Sequence, residues 1–307
     1  MIGRAAIAAA AARITPHLRR TPVLALEAGA LGPDLPVMLK LEQLQHTGSF
    51  KVRGALNTML AAGGLPEAGV VAASGGNHGA AVAWAAARLG VTATIFVPRI
   101  LADEVKLARM RGFGAQIRLA DGTVGEVMEQ FAAHAEATGA LPVHPFDGPA
   151  TLAGQGTLGA EIEEDAPDLD ALLVSVGGGG LIGGIAAWYE GRTRVIAVES
   201  EGTASYAASL SAGGPAEITP RGIAASALGA PRLGPMAAEI LRARDVESVV
   251  VSDDDITRAA RRLWEATRLV VEPGAATALA AFTTGTVAAG RIGVLLCGGN
   301  AAPDWFL

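Results

Sequence analysis

Residues 171–184 read ALLVSVGGGGLIGG, an apolar run followed by four consecutive glycines and a second apolar run. A short run rich in β-branched residues is typical of a buried strand, and the glycines mark the loop that leaves it. Because glycine has no side chain, such a loop can wrap closely around a ligand and direct several N–H groups at one phosphate. The stretch therefore predicts a strand, an anion-binding loop and a helix in succession. We call residues 177–180 the tetraglycine loop.

The same alternation recurs along the chain. Short apolar runs are separated by longer, alanine-rich segments of helical periodicity, which is the pattern of strand–helix–strand units. We therefore predict an α/β fold with mostly parallel sheets and helices on both faces. The predicted strands are residues 70–74, 92–98, 115–120, 171–176, 194–200, 247–252 and 292–297.

Size and charge limit the possible functions. The 307 residues, 50% of them hydrophobic, are enough for two domains with large cores. The net charge of -6 and the scattered arginines leave no basic surface for a nucleic acid. No apolar run approaches the roughly 20 residues of a membrane-spanning helix. We expect a soluble protein that binds neither nucleic acid nor a membrane.

Cysteine and histidine usage indicates a reducing compartment. The one cysteine, Cys297, cannot form an internal disulfide, and the five histidines show no paired spacing for zinc. We therefore expect a cytoplasmic protein without a bound metal. The N-terminal segment MIGRAAIAAAAARI lacks the leucine-rich core of a signal peptide and predicts a surface helix instead.

Two further loops carry glycine beside reactive side chains. In TGSFK, residues 47–51, Lys51 stands where a helix is predicted to begin. A lysine that is partly desolvated can lose its proton and form an imine, whereas arginine cannot. In SGGNHG, residues 74–79, a strand precedes the glycines and a helix follows them. The N–H groups at that helix start form an anion site suited to a carboxylate. We call residues 74–78 the asparagine loop.

The tetraglycine loop also fits a dinucleotide-binding pattern. Gly178, Gly180 and Gly183 satisfy GxGxxG, and Glu199 ends the next predicted strand, where a ribose-binding acid is expected. An NAD-dependent oxidoreductase is therefore an alternative. It leaves the TGSFK and SGGNHG loops without a function.

Taken together and in order, the motifs resemble those of the fold-type II pyridoxal-phosphate enzymes, in particular the serine/threonine dehydratase and serine racemase family. The resemblance covers nearly the whole chain. It rests on HLRRTPVL, KLEQLQHTGSFKVRGALN, ASGGNHGAAVAWAA, HPFDGPATLAGQGTLGAEI, VSVGGGGLIGGI, VVEPGAATALAA and LLCGGN. It implies a two-domain fold like that of tryptophan synthase β. The small domain is expected at about 49–143, and the large, cofactor-binding domain at 1–48 plus 144–307.

The resemblance also implies which residues form the site. Lys51 is the catalytic residue and forms the Schiff base with the cofactor, pyridoxal 5'-phosphate. The tetraglycine loop holds the cofactor phosphate, Asn77 contacts the ring hydroxyl, and Cys297 partners the pyridine nitrogen. The implied cofactor contacts are Phe50, Lys51, Asn77, Gly177, Gly178, Gly179, Gly180 and Cys297. The implied substrate contacts are Ser74, Gly75, Gly76, Asn77 and His78.

The implied activity is that of a lyase acting by β-elimination. Lys51 removes the α-proton of L-threonine, L-serine or a related 3-hydroxy amino acid, the β-hydroxyl leaves, and the product becomes a 2-keto acid and ammonia. The resemblance suggests a homodimer without a C-terminal regulatory domain. The alternatives within the family are a serine racemase, another pyridoxal-phosphate-dependent lyase, and a binding protein that keeps the cofactor site without activity.

Two positions separate these alternatives. In serine racemases a serine two positions before the asparagine supplies the second acid/base, and Gly75 stands there in this chain. We therefore expect little racemisation, and we expect Gly75→Ser to raise it. In some relatives a divalent cation binds the loop that reads EITPRGIAAS here, residues 217–226, with an aspartate before the glycine. Arg221 replaces that aspartate, so we expect no magnesium requirement.

The remaining side chains near these motifs have more ordinary interpretations. Ser49 is interpreted as a helix cap, and Phe50 either packs against the cofactor ring or seals the core. His78 is expected to orient its loop rather than to transfer protons. Glu272 either lies near the cofactor or caps the helix that follows it.

Overall fold

The predicted strands assemble into two sheets in a computed structural model that describes residues 2–307. The seven predicted strands are all present, each within two residues of its expected bounds. The strands are β1 (Val23–Leu26), β2 (Val37–Lys40), β3 (Val70–Ala73), β4 (Ala93–Pro98), β5 (Gln116–Ala120), β6 (Leu141–Pro142), β7 (Ala171–Ser175), β8 (Arg194–Ser200), β9 (Glu247–Val251) and β10 (Ile292–Leu295).

Both sheets are mostly parallel, as predicted. The six-stranded sheet has the order β1-β2-β10-β7-β8-β9, and only the β1–β2 pair is antiparallel. The four-stranded sheet has the order β5-β4-β3-β6 and is parallel throughout. It is built from residues 70–142 alone, whereas the larger sheet combines strands from both ends of the chain.

Helices connect the strands and cover both faces of the sheets. On the four-stranded sheet, Ile95 packs in a core with residues of the helices before and after β3, and Phe96 packs with Phe131 on the opposite face. The helices are α1 (Arg4–Ile14), α2 (Lys51–Ala61), α3 (Asn77–Leu89), α4 (Glu104–Gly112), α5 (Val124–Thr138), α6 (Pro149–Asp165), α7 (Gly180–Tyr189), α8 (Ser205–Ala212), α9 (Ala225–Leu228), α10 (Pro235–Ala243), α11 (Asp253–Thr267) and α12 (Pro273–Thr283).

Helix α6 lies between α2 and α7, and glycines let the helix backbones approach closely. A Cβ added at Gly154 would lie 2.6 Å from the carbonyl oxygen of Arg53 on α2. A Cβ added at Gly184 on α7 would lie 2.6 Å from the backbone nitrogen of Gly156. Neither position has room for a larger residue. We call these contacts the glycine seam.

None of the helices formed by residues 2–307 is long and apolar enough to span a bilayer. The predicted N-terminal surface helix is α1, which buries Ile7, Ala10 and Ile14 and exposes much of its remaining surface.

Candidate active site

Lys51 is the first residue of α2 and lies beside the end of β10. The N–H of Phe50 donates to the carbonyl oxygen of Cys297 at 3.1 Å, and Ser49 forms an isolated antiparallel bridge with Gly298. Ser49 does not cap α2: its hydroxyl is buried and has no hydrogen-bond partner, so the interpretation as a helix cap was wrong. The backbone bridge instead fixes where α2 begins.

The amine of Lys51 is held in a mostly apolar setting. Its Nζ donates to the carbonyl oxygen of Pro145 at 2.8 Å and lies 4.9 Å from the centroid of the Phe50 ring. Desolvation lowers the pKa of Lys51 from its ordinary value to about 8. About a tenth of the amine is therefore uncharged at pH 7, far more than for an ordinary lysine, and the uncharged form is the one that a nucleophile or a base requires.

The tetraglycine loop joins β7 to α7 and is closed to side chains. A Cβ at Gly178 would lie 2.2 Å from the ring of Phe146, and one at Gly180 would lie 2.3 Å from its carbonyl oxygen. Gly179 has a φ of +84°, which favours glycine. Because α7 begins at Gly180, the loop N–H groups stand at a helix N-terminus, where anions are stabilised.

The asparagine loop joins β3 to α3. Ser74 accepts a hydrogen bond from the N–H of Gly76 at 3.2 Å, and Asn77 is the first residue of the helix. The N–H groups of the first helical turn lack partners within their own helix. The loop therefore offers the backbone donors of an anion site at the carboxyl end of β3.

The side chain of His78 points away from this anion site. It is buried, and its Nε2 is 2.8 Å from the carbonyl oxygen of Val143. Burial, with the nearby charge of Lys51, lowers the pKa of His78 to about 3. The imidazole is neutral and fixes the loop against the sheet, as expected, so only the backbone of His78 remains a candidate for substrate contact.

The two glycines of the loop face opposite ways. A Cβ at Gly75 would lie 3.0 Å from Val97 and 3.3 Å from the carbonyl oxygen of Leu101, both on the β4 side. A Cβ at Gly76 would have only the carbonyl oxygen of Ser226, at 4.0 Å, within contact distance. Position 76 therefore faces α9, and a side chain at position 75 is directed into the four-stranded unit.

Asn77 is bound on both sides of its amide. Its Nδ2 donates to Oε1 of Glu272 at 2.7 Å, and its Oδ1 accepts from Nδ2 of Asn300 at 2.6 Å. Glu272 stands at the N-cap position of α12, but its side chain does not cap that helix. Of the two interpretations offered for Glu272, the structure favours the one near the site.

Cys297 is a neutral thiol at the base of the site. It is buried, and burial, together with the nearby Glu272, raises the pKa of the thiol. It can therefore offer a weak hydrogen bond but no full charge to a neighbouring ring nitrogen.

The dinucleotide alternative is not supported by Glu199. This carboxylate is fully buried and accepts the backbone N–H groups of Tyr206 and Ala207, each at 2.8 Å. Desolvation raises its pKa to about 7 in spite of these bonds. A carboxylate engaged at the start of α8 is not open to a ribose.

Within the part of the chain that the structure describes, no three His, Cys, Asp or Glu side chains are grouped so that they could hold a metal ion. In the loop considered for a cation, Glu217 forms an ion pair with Arg232 at 3.2 Å. The N–H of Arg221 donates to the carbonyl oxygen of Gly202.

Sequence reasoning missed several residues of the site. Asn300, Pro145 and Phe146 lie within quoted motifs, LLCGGN and HPFDGP, but were given no function. Arg109, whose Nη1 donates to Asn300, lies in no motif. A signal was present for Asn300, because an amide directly after two glycines at a strand end is a candidate for a site residue.

The chain is similar over nearly its whole length to a curated relative and to two solved structures. The chain is 38% identical over 305 residues to a phenylserine dehydratase of Ralstonia pickettii, covering 96% of this chain and 92% of the relative. The solved structure of a threonine deaminase from T.th. superimposes with a TM-score of 0.90 at 38% identity, covering 98% of this chain and 99% of the other. Maize serine racemase gives a TM-score of 0.90 at 32% identity, covering 98% and 94%.

The family model described as pyridoxal-phosphate dependent enzyme matches residues 14–298. The match spans the three loops and both sheets, and it confirms the fold class, the family and the cofactor that the motifs predicted. The chain belongs to the family of pyridoxal-phosphate dependent enzymes.

Proposed function

We propose that the protein is an ammonia-lyase that dehydrates an L-3-hydroxy amino acid, such as threonine, serine or an aryl-substituted serine, to the 2-keto acid and ammonium. The observation that carries the proposal is the desolvated amine of Lys51, which donates to Pro145 in the segment that packs against the tetraglycine loop. The relatives named for phenylserine and threonine act on substrates of this class.

The residues present fit pyridoxal phosphate. The tetraglycine loop packs tightly against Phe146 and leads directly into the N-terminus of α7, so its backbone N–H groups suit a phosphate. Lys51 would hold the aldehyde carbon, Asn77 the ring oxygen and Cys297 the ring nitrogen, and Phe50 would pack near the ring. The buried, unpartnered hydroxyl of Ser49 is a further polar group at this position.

The cofactor, when bound, supplies an electron sink for the charge that develops at the α-carbon of an amino acid. The asparagine loop binds the substrate carboxylate through its backbone N–H groups and so orients the α-hydrogen. Lys51 then accepts the α-proton. The β-hydroxyl leaves with a proton as water, and water later returns, so that keto acid and ammonium are the net products.

A racemase is the second candidate, since maize serine racemase is among the structural neighbours. Racemisation requires an acid on the face of the α-carbon opposite Lys51. Gly75 and Gly76 supply no side chain for this step, and a positioned acid typically contributes about 10²- to 10⁴-fold. The asparagine loop therefore favours elimination.

We further propose that residues 49–143 form the small domain and that 1–48 plus 144–307 form the large one. The four-stranded sheet and its own hydrophobic clusters support this division. A homodimer and a cytoplasmic location remain part of the proposal, on the resemblance and on the lone buried cysteine.

The test is to incubate the purified protein, loaded with pyridoxal phosphate, with L- and D-serine, L- and D-threonine and threo-phenylserine, and to measure keto acid and ammonium. Lys51→Ala and the charge-preserving Lys51→Arg should each lower the rate by about 10³-fold or more, because base and anchor are one group. Borohydride reduction and peptide mapping should place the cofactor on Lys51.

Label on Lys40 or Lys106 would contradict the assignment of Lys51. A yellow protein that releases no keto acid from any substrate would indicate a binding protein rather than an enzyme. Lys106→Ala is the matched control, and its rate should stay near that of the wild type.

A further inference from the structure

Four polar side chains between α4, the asparagine loop and α12 form a single chain of hydrogen bonds. Nη1 of Arg109 donates to Oδ1 of Asn300. Nδ2 of Asn300 donates to Oδ1 of Asn77 at 2.6 Å, and Nδ2 of Asn77 donates to Oε1 of Glu272 at 2.7 Å. We call this chain the amide relay.

The two ends of the relay fix its direction. A guanidinium has only donors, and a carboxylate has only acceptors. An asparagine amide between them could otherwise turn over and exchange its oxygen for its nitrogen. If Asn77 turned over, its oxygen would face the oxygen of Glu272 and its nitrogen would face the N–H of Asn300. Both contacts would become repulsive.

Asn300 is fixed independently of Asn77. Its second N–H donates to the carbonyl oxygen of Thr47 at 2.8 Å, so all its hydrogen-bonding groups are used. The backbone makes room for these partners with glycine. A Cβ at Gly48 would lie 2.5 Å from Oδ1 of Asn300, and one at Gly298 would lie 2.1 Å from Oε1 of Glu272. Glycine at positions 48 and 298 therefore leaves space for the side chains of Asn300 and Glu272, in addition to any role in forming a turn.

We propose that Arg109, Asn300 and Glu272 are positioning residues that lock Asn77 as a hydrogen-bond donor toward the oxygen of the cofactor ring, and so favour the ionised form of that oxygen. The inference rests on the proposed cofactor site. An asparagine NH₂ group has two donors, and Glu272 takes one of them. The second N–H is left for the ring, and no acceptor atom of Asn77 can face it.

The locked direction has a consequence for the ring oxygen. A donor stabilises an ionised oxygen by a charge-assisted hydrogen bond, whereas a neutral hydroxyl could instead donate to an amide oxygen. The relay removes the second option. It does so from both proposed domains, because Arg109 lies on α4 beside the four-stranded sheet and Glu272 stands at the N-cap position of α12.

The test uses the near-isosteric variants Glu272→Gln and Asn300→Asp in the holoenzyme. Each removes one of the two contacts that oppose the turning of Asn77, because the substituted side chain can pair with the turned amide. We expect the share of bound cofactor that absorbs in the visible, with an ionised ring oxygen, to fall relative to the near-ultraviolet form. We also expect the cofactor dissociation constant to rise about tenfold, the change that the loss of one charge-assisted hydrogen bond produces. Arg111→Ala, on the same helix as Arg109, is the control and should change neither quantity.

The direction in which the ratio of the visible to the near-ultraviolet band changes distinguishes loss of the amide relay from the simple loss of a negative charge. Removing the negative charge of Glu272 by itself would favour an ionised ring oxygen, which is the opposite of the change expected here. A band ratio that stays at the wild-type value in both variants, or that moves toward the ionised form in Glu272→Gln, would overturn the proposal. A lower melting temperature with an unchanged band ratio would reduce these residues to a structural role.

Failure of the relay and failure of the proposed function can be told apart. The spectrum does not depend on turnover, so a wild type that shows the visible band but releases no keto acid would contradict the lyase and leave the relay standing. A wild type without any visible band would overturn both.

Discussion

The two glycine loops of the site are built in opposite ways. In the tetraglycine loop a Cβ at Gly178 would lie 2.2 Å from the Phe146 ring, whereas in the asparagine loop a Cβ at Gly76 would meet only Ser226, at 4.0 Å. The first loop has glycine because nothing else fits, and the second has space beside one of its glycines. We infer that the tetraglycine loop fixes cofactor binding, and that substrate and reaction choice can change at the asparagine loop.

The largest expected effect is on thermal stability and cofactor affinity, and it tests whether the glycines of the two loops differ in the space around them. Gly178→Ala forces Phe146 to move, and overpacking of this kind costs about 1–3 kcal/mol. We expect a melting temperature several degrees lower and a cofactor dissociation constant raised more than tenfold, measured by thermal melting and absorbance titration. Gly76→Ala should leave both values near those of the wild type, as should the control Gly214→Ala, whose added Cβ has open space around it. Equal loss of cofactor in Gly178→Ala and Gly76→Ala would show that the two loops are not different in kind.

The second expected effect is the pH dependence of cofactor uptake, which tests whether Lys51 is desolvated. With a pKa of about 8, the uncharged fraction of the amine rises about tenfold between pH 7 and pH 9 and then levels off. Only the uncharged amine can bond covalently to the cofactor. The rate at which apoprotein takes up pyridoxal phosphate should therefore rise with pH through a midpoint near 8. A rate that is still rising steeply above pH 9 would indicate an ordinary, solvated lysine.

A smaller expected effect is on the share of D-isomer formed, and it tests which glycine of the asparagine loop faces the substrate. The wild type should form little D-isomer from L-serine, because neither glycine carries an acid. Gly75→Ser, the substitution suggested by the sequence, directs its side chain toward Val97, whereas Gly76→Ser directs it toward Ser226. We expect Gly76→Ser to raise the D-isomer share more than Gly75→Ser does, measured by chiral chromatography of the residual substrate. The reverse order would show that the loop rearranges when substrate binds.

The smallest expected effect concerns the segment opposite Gly76, which contains Ser226 and Arg221. A guanidinium replaces the expected acidic ligand, and Glu217 is already paired with Arg232. Activity after exhaustive chelation should change less than about twofold on addition of magnesium. Strong activation by magnesium would show that other oxygens hold a cation near the open loop.

Sequence patterns predicted most of the fold because the buried strands are continuous apolar runs. ALLVS in β7 and ATIFVP in β4 are fully buried and easy to identify. The strands β1, β2 and β6 were not predicted. They are four, four and two residues long, β1 is half exposed, and β6 contains a proline. Pairing with a neighbour, rather than local pattern, makes them strands.

Sequence motifs indicated the candidate site residues that stand in short local patterns, but they did not indicate the contacts between distant residues. Lys51, Asn77 and the tetraglycine loop each stand in a short motif next to a helix start. The hydrogen bonds of Asn77 with Glu272 and Asn300 join residues 195 and 223 positions apart. No periodicity reports such a pair, and only the assembled sheets bring its members together.

The glycine seam has a consequence for how this enzyme can evolve. Helix α2 presents the amine, α7 begins at the tetraglycine loop, and α6 separates them by backbone contact rather than by side chains. Where helices contact each other through side chains, a larger residue on one helix can be compensated by a smaller one on the other. Where they contact through glycine backbone, no smaller residue exists, so such compensation is impossible. We therefore expect the spacing between amine and phosphate to be inherited as a fixed unit, while new specificities arise by substitution elsewhere.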